Sequence, residues 1–548
     1  MKKKNKLITI LSVSALLSIG ASATALAADG WVEENGIWAY YNSDGERASE
    51  AWKKSGDYWF WLDSNGEMAT DTLVENDDDY YYVDSNGALV ANQWVAIENE
   101  DAGDEDEPEH YWYYFQADGK AYKRSDSASD ESVSAKTING KKYSFDDEGR
   151  MLYGWVTGGE RETGEDAWKN ADYYFGDADD GAMSIGWKLI SIVDDEFEDA
   201  QPGDEYWDED QDRWFYFQTT GKKVKADEDD DEVLEIKTIN GSKYGFDING
   251  RMVSSWFTEA TPSIASQSTA AYSSSFMYFS SPDDGARYTD GWFKVVPGYY
   301  LEEDKYDDGS DYWYYADGNG NLYANTIKSI NGKKYAFNEN GRMIDGLVFL
   351  EMDGSSDILS VIDAEDTYDT EEAFDEYVTE IAASEISEGT IRCYYFGSAD
   401  DGALKTGDKD VEIDGEDFDF SFKESGSTKG SGIVGEHDHK LYNAGKLIKA
   451  DSYDKYKVAA YNEATGLTVI MDTEDFLDQA TDKEYIEDDD EIIWTFDNEN
   501  DLDDDEQILY YLVNTSGSMI KDKSNAKDGD DYQFQVKNYL ITSVTLKD

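Results

Sequence analysis

The sequence predicts an all-β protein, a solenoid of stacked β-hairpins interrupted by acidic loops. Three observations carry this: short aromatic runs that alternate like strands, turn residues at fixed offsets from them, and the return of both along the chain. Gly45, Gly66 and Gly87 fall 21 residues apart, as do Trp31, Trp52, Leu73 and Trp94. Trp38, Trp59 and Tyr80 keep the same step, and so do Arg47, Met68 and Leu89. Each unit therefore reads as a strand, a tight turn, an aromatic strand such as "YWFWL" or "YYYVD", and an acidic turn ending in Gly. One such hairpin cannot bury its apolar face alone, but stacked copies cover one another.

The elements follow in chain order. Residues 1–27 read as a removable signal peptide: Lys2, Lys3, Lys4 and Lys6 precede the short apolar run Leu7–Ile19 and the small-x-small site Ala25-Leu26-Ala27. No sorting tail is expected, so the mature chain reads as exported and free of a covalent anchor. The 21-residue hairpins occupy 28–97. Over 98–411 the period stretches into a three-hairpin super-repeat. Its first members are Tyr111–Lys123, Arg213–Lys225 and Tyr312–Ala324. Its second are "TINGKKYSFDDEGRM" (137–151), "TINGSKYGFDINGRM" (238–252) and "SINGKKYAFNENGRM" (329–343). Its third are Tyr173–Trp187, Tyr278–Trp292 and Tyr394–Asp408, with a turn two residues longer.

Acidic inserts at 98–110 and 194–210 separate these units and read as loops on one face. The insert between Phe349 and Glu388 predicts the one short helix, near 369–387. There Asp369 caps, Glu372 reaches back, and Phe374, Tyr377, Val378 and Ile381 form one face. Residues 412–548 read as a degenerate C-terminal β-module.

Composition limits function. Without the four leader lysines, 43 of the 47 basic residues remain against 122 acidic ones, about −79 in all. That charge repels nucleic acid and anionic lipid and leaves cationic ligands or metal ions favoured. No membrane insertion is expected. With 16 Trp, 41 Tyr and 22 Phe the chain is too aromatic to be disordered, and one cysteine excludes an internal disulfide framework.

The stretch "GWVEENGIWAYYNSDGERAS" and its successor "AWKKSGDYWFWLDSNGEMAT" resemble the cell-wall-binding, or choline-binding, repeat of Gram-positive surface proteins. The "KTINGKKY" and "DDGAM" units and the tail "YLVNTSGSM" are similar to repeat-only wall-binding proteins of clostridia. The resemblance runs from Trp31 to about Met519. It implies hairpins stacked in a left-handed solenoid, with the choline of teichoic acid held in aromatic clefts between neighbours; related repeats bind glucan or other carbohydrate. A quaternary ammonium has no N–H to donate, so π-faces are what can hold it, at about 0.5–2 kcal/mol per well-placed ring. The same rings also stack on sugars.

On this reading the cage candidates are Trp31, Trp38, Trp52 and Trp59, with Tyr80 or Tyr81 from the next hairpin and Met68 at the floor. Trp94, Trp112, Trp214 and Trp313 form a second set. The position of Trp38 and Trp59, seven before the turn glycine, holds Lys142, Lys243 and Lys334 in the TING hairpins, where a lysine is expected to repel a cation. It holds Asp172, Phe276 and Cys393 in the third hairpins. A complete cage is therefore expected only near the N-terminus. A wall glycan is the alternative partner, and a purely structural surface protein with self-association is the second alternative.

Catalytic chemistry finds no foothold. "EHDH" (Glu436–His439) would place two imidazoles on one strand face, yet without a matching cluster no metal site is expected. "GDADDG" (176–181) and "ADEDDDE" (226–232) lack the spacing of a dedicated calcium loop, so Ca²⁺ binding is expected to be weak and no cofactor is required. Cys393 reads as a buried, inert thiol. The chain reads as a binding protein and not an enzyme.

Overall fold

The computed structural model describes residues 29–548 apart from 101, 104–106, 126–132, 194–209, 228–231, 268, 366, 481–482, 489–490, 497–507, 529–530 and 548. The expected leader lies outside the described residues, as do most of the 194–210 insert and the centre of 226–232. The described chain forms two compact units that divide after Val253.

Among the described residues the first unit holds eight successive antiparallel hairpins. The first four pair Gly30–Glu34 with Ile37–Tyr41, Ala51–Ser55 with Tyr58–Leu62, Thr72–Asn76 with Asp79–Val83, and Gln93–Glu98 with His110–Phe115. The next four pair Lys136–Ile138 with Lys141–Tyr143, Gly154–Thr157 with Tyr173–Phe175, Gly186–Val193 with Asp210–Phe217, and Glu235–Ile239 with Ser242–Phe246. Asn35 and Gly36 both have positive φ (57° and 89°), as do Asn139 and Gly140, which is the backbone a two-residue hairpin turn needs. The acidic turns are built by one carboxylate: Asp63 Oδ1 accepts the amides of Asn65 and Glu67, each at 2.8 Å.

A single backbone hydrogen bond repeats between neighbouring hairpins. The amide two residues beyond the turn glycine donates to a carbonyl in the hairpin before it. Met68 donates to Trp38, Leu89 to Trp59, Ala121 to Tyr80, Met151 to Trp112, Met183 to Lys142, Lys223 to Asp172 and Met252 to Trp214, all at 2.7–2.8 Å. The acceptors are the series that the sequence period picks out, including Asp172 ahead of the longer turn. Bridges Leu62↔Met68 and Phe175↔Met183 confirm that the turn is two residues longer there.

The second unit continues the scheme. Ser255–Thr258 pairs with Phe276–Phe279, Gly291–Val295 with Tyr312–Ala316, and Thr326–Ile330 with Lys333–Phe337. Leu347–Asp353 pairs with Ile391–Tyr395, and the strand Asp357–Val361 joins these last two pairs into one five-stranded sheet. Met343 donates to Trp313, Leu404 to Lys334 and Gly432 to Cys393. Beyond residue 406, one five-stranded sheet is built from Gly407–Ile413, Glu416–Phe422, Gly435–His437, Lys440–Asn443 and Lys446–Leu447. A larger antiparallel sheet includes Tyr456–Asn462, Ile508–Asn514 and Leu540–Lys547.

The expected helix near 369–387 is corrected in three respects. Thr370, not Asp369, is the N-cap, its hydroxyl accepting from the Ala373 amide at 3.2 Å. The helical segment is divided into Glu371–Glu376, a π-turn at Tyr377–Ile381, and Ala383–Glu388. The wider turn carries Ile381 out of phase, so it is 64% exposed while Phe374, Tyr377 and Val378 are buried against Phe349. Further short helices at Ala167–Asn170, Ala270–Ser273, Glu303–Asp307 and Thr473–Gln479 show that it is not the one helix.

Among the described residues no helix is long and apolar enough to cross a membrane. The two imidazoles of "EHDH" do not share one strand face. Asp438 and His439 have positive φ and form the turn after the strand Gly435–His437. That turn separates the two imidazoles, and His439 stacks on Tyr539 at 4.9 Å. Cys393 is buried in a strand, and burial pushes its thiol pKa up.

Candidate functional site: aromatic clefts between hairpins

Each hairpin has two faces, and the register says which residues share one. In the second hairpin Trp52 pairs with Trp61 and Lys54 with Trp59, so these four side chains lie on one face. Phe60, paired with Lys53, lies on the other. Ring contacts then give the direction of stacking. Trp31 meets Phe60 of the next hairpin at 5.3 Å, and Trp52 meets Tyr81 of the next hairpin at 5.2 Å. The Trp face of each hairpin thus meets the opposite face of its successor.

This rule sorts the candidates into separate clefts. Trp31 and Trp38 line the first cleft, closed by Phe60, which sequence reasoning missed. Trp52 and Trp59 line the second, closed by Tyr81. Tyr80, adjacent to Tyr81 on the strand, points to the opposite face and packs with Tyr113 of the fourth hairpin. The Met68 amide is tied to the Trp38 carbonyl, and its Cε lies against Gly87 in the turn of the third hairpin.

The expectation that a complete cage is confined to the N-terminus is corrected by the same rule. Trp94 and Trp112 share a face of the fourth hairpin, and Tyr143 of the TING hairpin meets Trp94 at 4.9 Å. Trp187 and Trp214, with Tyr244 at 4.8 Å from Trp187, repeat this arrangement. Trp292 and Trp313, with Tyr335 at 4.7 Å from Trp292, repeat it again. Lys142, Lys243 and Lys334 neighbour these tyrosines in sequence and therefore occupy the other face. In the last two sets the indoles stand at 89° and 87°, with centroids 6.2 and 6.3 Å apart, forming two perpendicular walls. Each TING hairpin thus brings a tyrosine to a Trp pair on the hairpin before it.

The slot tryptophans differ in exposure: Trp38, Trp112, Trp214 and Trp313 are half-buried. Trp59 is 44% exposed, and among the described residues no ring stacks on Trp38, Trp59 or Trp112. Burial raises the pKa of both Tyr81 and Tyr143, keeping them neutral walls at physiological pH. Chain cations approach some of the clefts. Lys54 Nζ lies 6.0 Å from the Trp59 ring and Lys294 Nζ 5.8 Å from Trp313, whereas Ala96 holds the equivalent position beside Trp112.

One further cleft is filled from within. Trp155 of the sixth hairpin meets Phe215 of the seventh at 5.2 Å, with Asp172 where other hairpins carry Trp. Trp168, on the short helix Ala167–Asn170, is buried against Phe215. Lys223 enters this cleft: it is 2% exposed, and its Nζ donates to the Trp168 carbonyl at 2.5 Å. The amine lies 5.3 Å from the Trp155 ring, and burial lowers its pKa to about 7. The carboxylates of "GDADDG" diverge. Asp177 accepts amides of its own turn, Asp179 accepts from Trp112, and Asp180 pairs with Lys141.

Fold and clefts together define a repeat protein of stacked β-hairpins with aromatic boxes between neighbours. A family model, the choline-binding repeat, matches residues 46–89, which span the second and third hairpins. Among solved structures the chain is similar to the modular autolysin LytC from Streptococcus pneumoniae in complex with a synthetic peptidoglycan ligand. That similarity is 16% identity over 60% of this chain and 55% of that one, with a TM-score of 0.30. It is also similar to CbpJ from the same species (19% identity, 57% of this chain and 99% of that one, TM-score 0.24). A third is pneumococcal choline binding protein F in the presence of a peptidoglycan analogue (18%, 58% and 98%, TM-score 0.24). The chain spans just over half the length of LytC. No curated protein matches it.

Proposed function

We propose that this chain is a secreted, non-catalytic cell-wall-binding protein. On this reading it attaches to the envelope by enclosing the choline of teichoic acid in its Trp–Trp–Tyr boxes. The observation that carries the reading is the recurrence of one construction: two tryptophans from one hairpin and a tyrosine from the next. It appears at Trp52–Trp59–Tyr81, Trp94–Trp112–Tyr143, Trp187–Trp214–Tyr244 and Trp292–Trp313–Tyr335. Core packing alone does not require a second tryptophan that stays half-buried, as Trp112, Trp214 and Trp313 do, or exposed, as Trp59 does. Three rings at about 0.5–2 kcal/mol each give a weak single site, and repeating it along a polymer with many headgroups multiplies the affinity. The acidic surface supports a cationic substituent over the polymer's phosphates as the point of contact.

The experiment is capture of the protein on isolated Gram-positive cell walls, eluted in parallel with choline, glucan oligosaccharide and EDTA. Elution by choline alone is expected. Release by the oligosaccharide would favour a glycan-binding protein, and release by EDTA would point to a metal bridge.

A further inference from the structure

The third hairpin of a super-repeat differs from the others in its longer turn, and two of the three examples place their extra residues alike. In the turn after Tyr173–Phe175, Asp179 Oδ1 accepts from the Trp112 indole N–H at 3.3 Å, reaching back across two hairpins. The next residue, Asp180, pairs with Lys141 of the intervening TING hairpin at 2.8 Å. In the second unit, Asp400 Oδ1 lies 3.5 Å from the Trp313 indole nitrogen, and Asp401 lies 3.8 Å from Lys333. The anchors are also the same. Met183 donates to Lys142 and Leu404 to Lys334, while Gly181 and Gly402 sit against Met151 and Met343. Two units far apart in sequence hold one four-residue arrangement.

We infer that Asp179 and Asp400 are specificity-determining carboxylates. Each sets a negative charge at the edge of a Trp–Trp–Tyr box, so that the box prefers a cationic headgroup to a neutral ligand of the same shape. The inference rests on the proposed wall-binding reading and deepens it for the Trp94–Trp112–Tyr143 and Trp292–Trp313–Tyr335 boxes. A carboxylate that accepts the indole N–H holds the ring in place and adds its own field to the ring's negative face. The second box already displays the combination. Lys294 Nζ lies 3.3 Å from Asp400 and 5.8 Å from the Trp313 centroid, so one ammonium shares carboxylate and ring. Trp313 and then Lys294 hold the Asp400 carboxyl below its ordinary pKa, so it is charged at neutral pH. At the first box Ala96 replaces that lysine, and among the described residues no lysine or arginine pairs with Asp179. Asp179 is therefore the stronger determinant for an added cation.

The test uses the full chain labelled with fluorotryptophan, so that fluorine NMR follows Trp112 and Trp313 separately. It is titrated with choline and with dimethylbutanol, its uncharged isostere. Asp179→Asn keeps an acceptor for the indole and removes the charge. It is expected to weaken choline at Trp112 by about three- to tenfold, as for one partly screened charge, and to leave the isostere unchanged. Asp400→Asn should do less at Trp313. Asp180→Asn removes the same charge from the same turn and should leave choline binding at Trp112 as it was. Equal loss in Asp179→Asn and Asp180→Asn would overturn the inference in favour of a diffuse field. Unchanged choline binding in Asp179→Asn, with Trp112→Ala abolishing it, would overturn the inference while the wall-binding reading stands. If the unaltered chain binds neither compound, the wall-binding reading falls as well.

Discussion

Gly66 in the turn of the second hairpin sits directly against Ala48 of the first: a Cβ built on it would lie 2.7 Å from the Ala48 carbonyl oxygen. Its φ is also +72°, so the position excludes a side chain on two counts. Gly36 has φ +89° but open space around it, so it isolates the conformational part. Gly36→Ala is expected to cost about 1 kcal/mol from backbone strain alone. Gly66→Ala should cost about 2–4 kcal/mol, because the neighbour is rigid backbone and the hairpins must separate. Hydrogen exchange of the Met68 amide, which bridges the two hairpins, reads the difference. Equal protection in both variants would show that stacking does not depend on this contact.

The face rule predicts which tyrosine matters. Tyr143→Ala should weaken choline binding at the Trp94–Trp112 box by about two- to thirtyfold, the worth of one ring. Lys142→Ala, on the opposite face, should leave it unchanged. Likewise Tyr81→Ala should impair the Trp52–Trp59 box and Tyr80→Ala should not. Tryptophan fluorescence during choline titration is the measurement. A larger effect from the lysine than from the tyrosine would mean that the stacking direction is misassigned.

The hairpins, their period and the slot positions from Trp38 to Trp214, whose carbonyls tie neighbouring hairpins, were legible because each rests on a strict local demand. Asn-Gly supplies two positive φ values, and the turn glycine leaves room for its neighbour. The pairing of faces was not legible. Tyr80 and Tyr81 are equally aromatic, and only the direction of stacking says which one closes the Trp52–Trp59 cleft. The same ambiguity made Lys142 look like a spoiler of a box that its neighbour Tyr143 completes. Asp179 escaped notice because it meets Trp112 across 67 residues and two hairpins, a reach set by turn length. Ile381 was misplaced because a π-turn changes helical phase without a sequence mark.

The net charge of −75 predicts a salt response. Exposed acids repel over about a Debye length, so added NaCl should raise the Tm modestly by screening. Millimolar Ca²⁺ should do little that NaCl does not, since Asp177, Asp179 and Asp180 are each engaged elsewhere. A thermal melt in matched ionic strength decides it. A large Ca²⁺-specific rise would reveal a metal site, and Asp177→Asn would be the first variant to make.

Lys223 gives the sharpest pH dependence. Its stem lies over Gly250, a Cβ on which would sit 2.8 Å from Cδ, just as Met68, Met151 and Met183 cover the turn glycine of the hairpin after their own. Its amine, however, is buried between Trp155, Phe215 and the Trp168 carbonyl, with its pKa lowered to about 7. An unfolded chain holds that proton up to about pH 10.4. Between these values the unfolded state binds more protons than the folded state, so stability rises with pH, by at most about 1.4 kcal/mol per unit. Below about pH 7 the amine is charged in both states and the desolvation penalty is present in full. Lys223→Met should therefore stabilise the sixth and seventh hairpins most at pH 6, by about 2–4 kcal/mol. Part of that gain is offset by about 1 kcal/mol for the carbonyl of Trp168 left without its donor. Against the parent chain the advantage should shrink steadily towards pH 10. Urea unfolding at pH 6, 8 and 9.5 measures it, followed in both chains by hydrogen exchange at the backbone amide of position 223, which is bonded to the Asp172 carbonyl. A variant whose advantage is the same at all three pH values would show that the amine titrates normally and that the cleft tolerates a full charge.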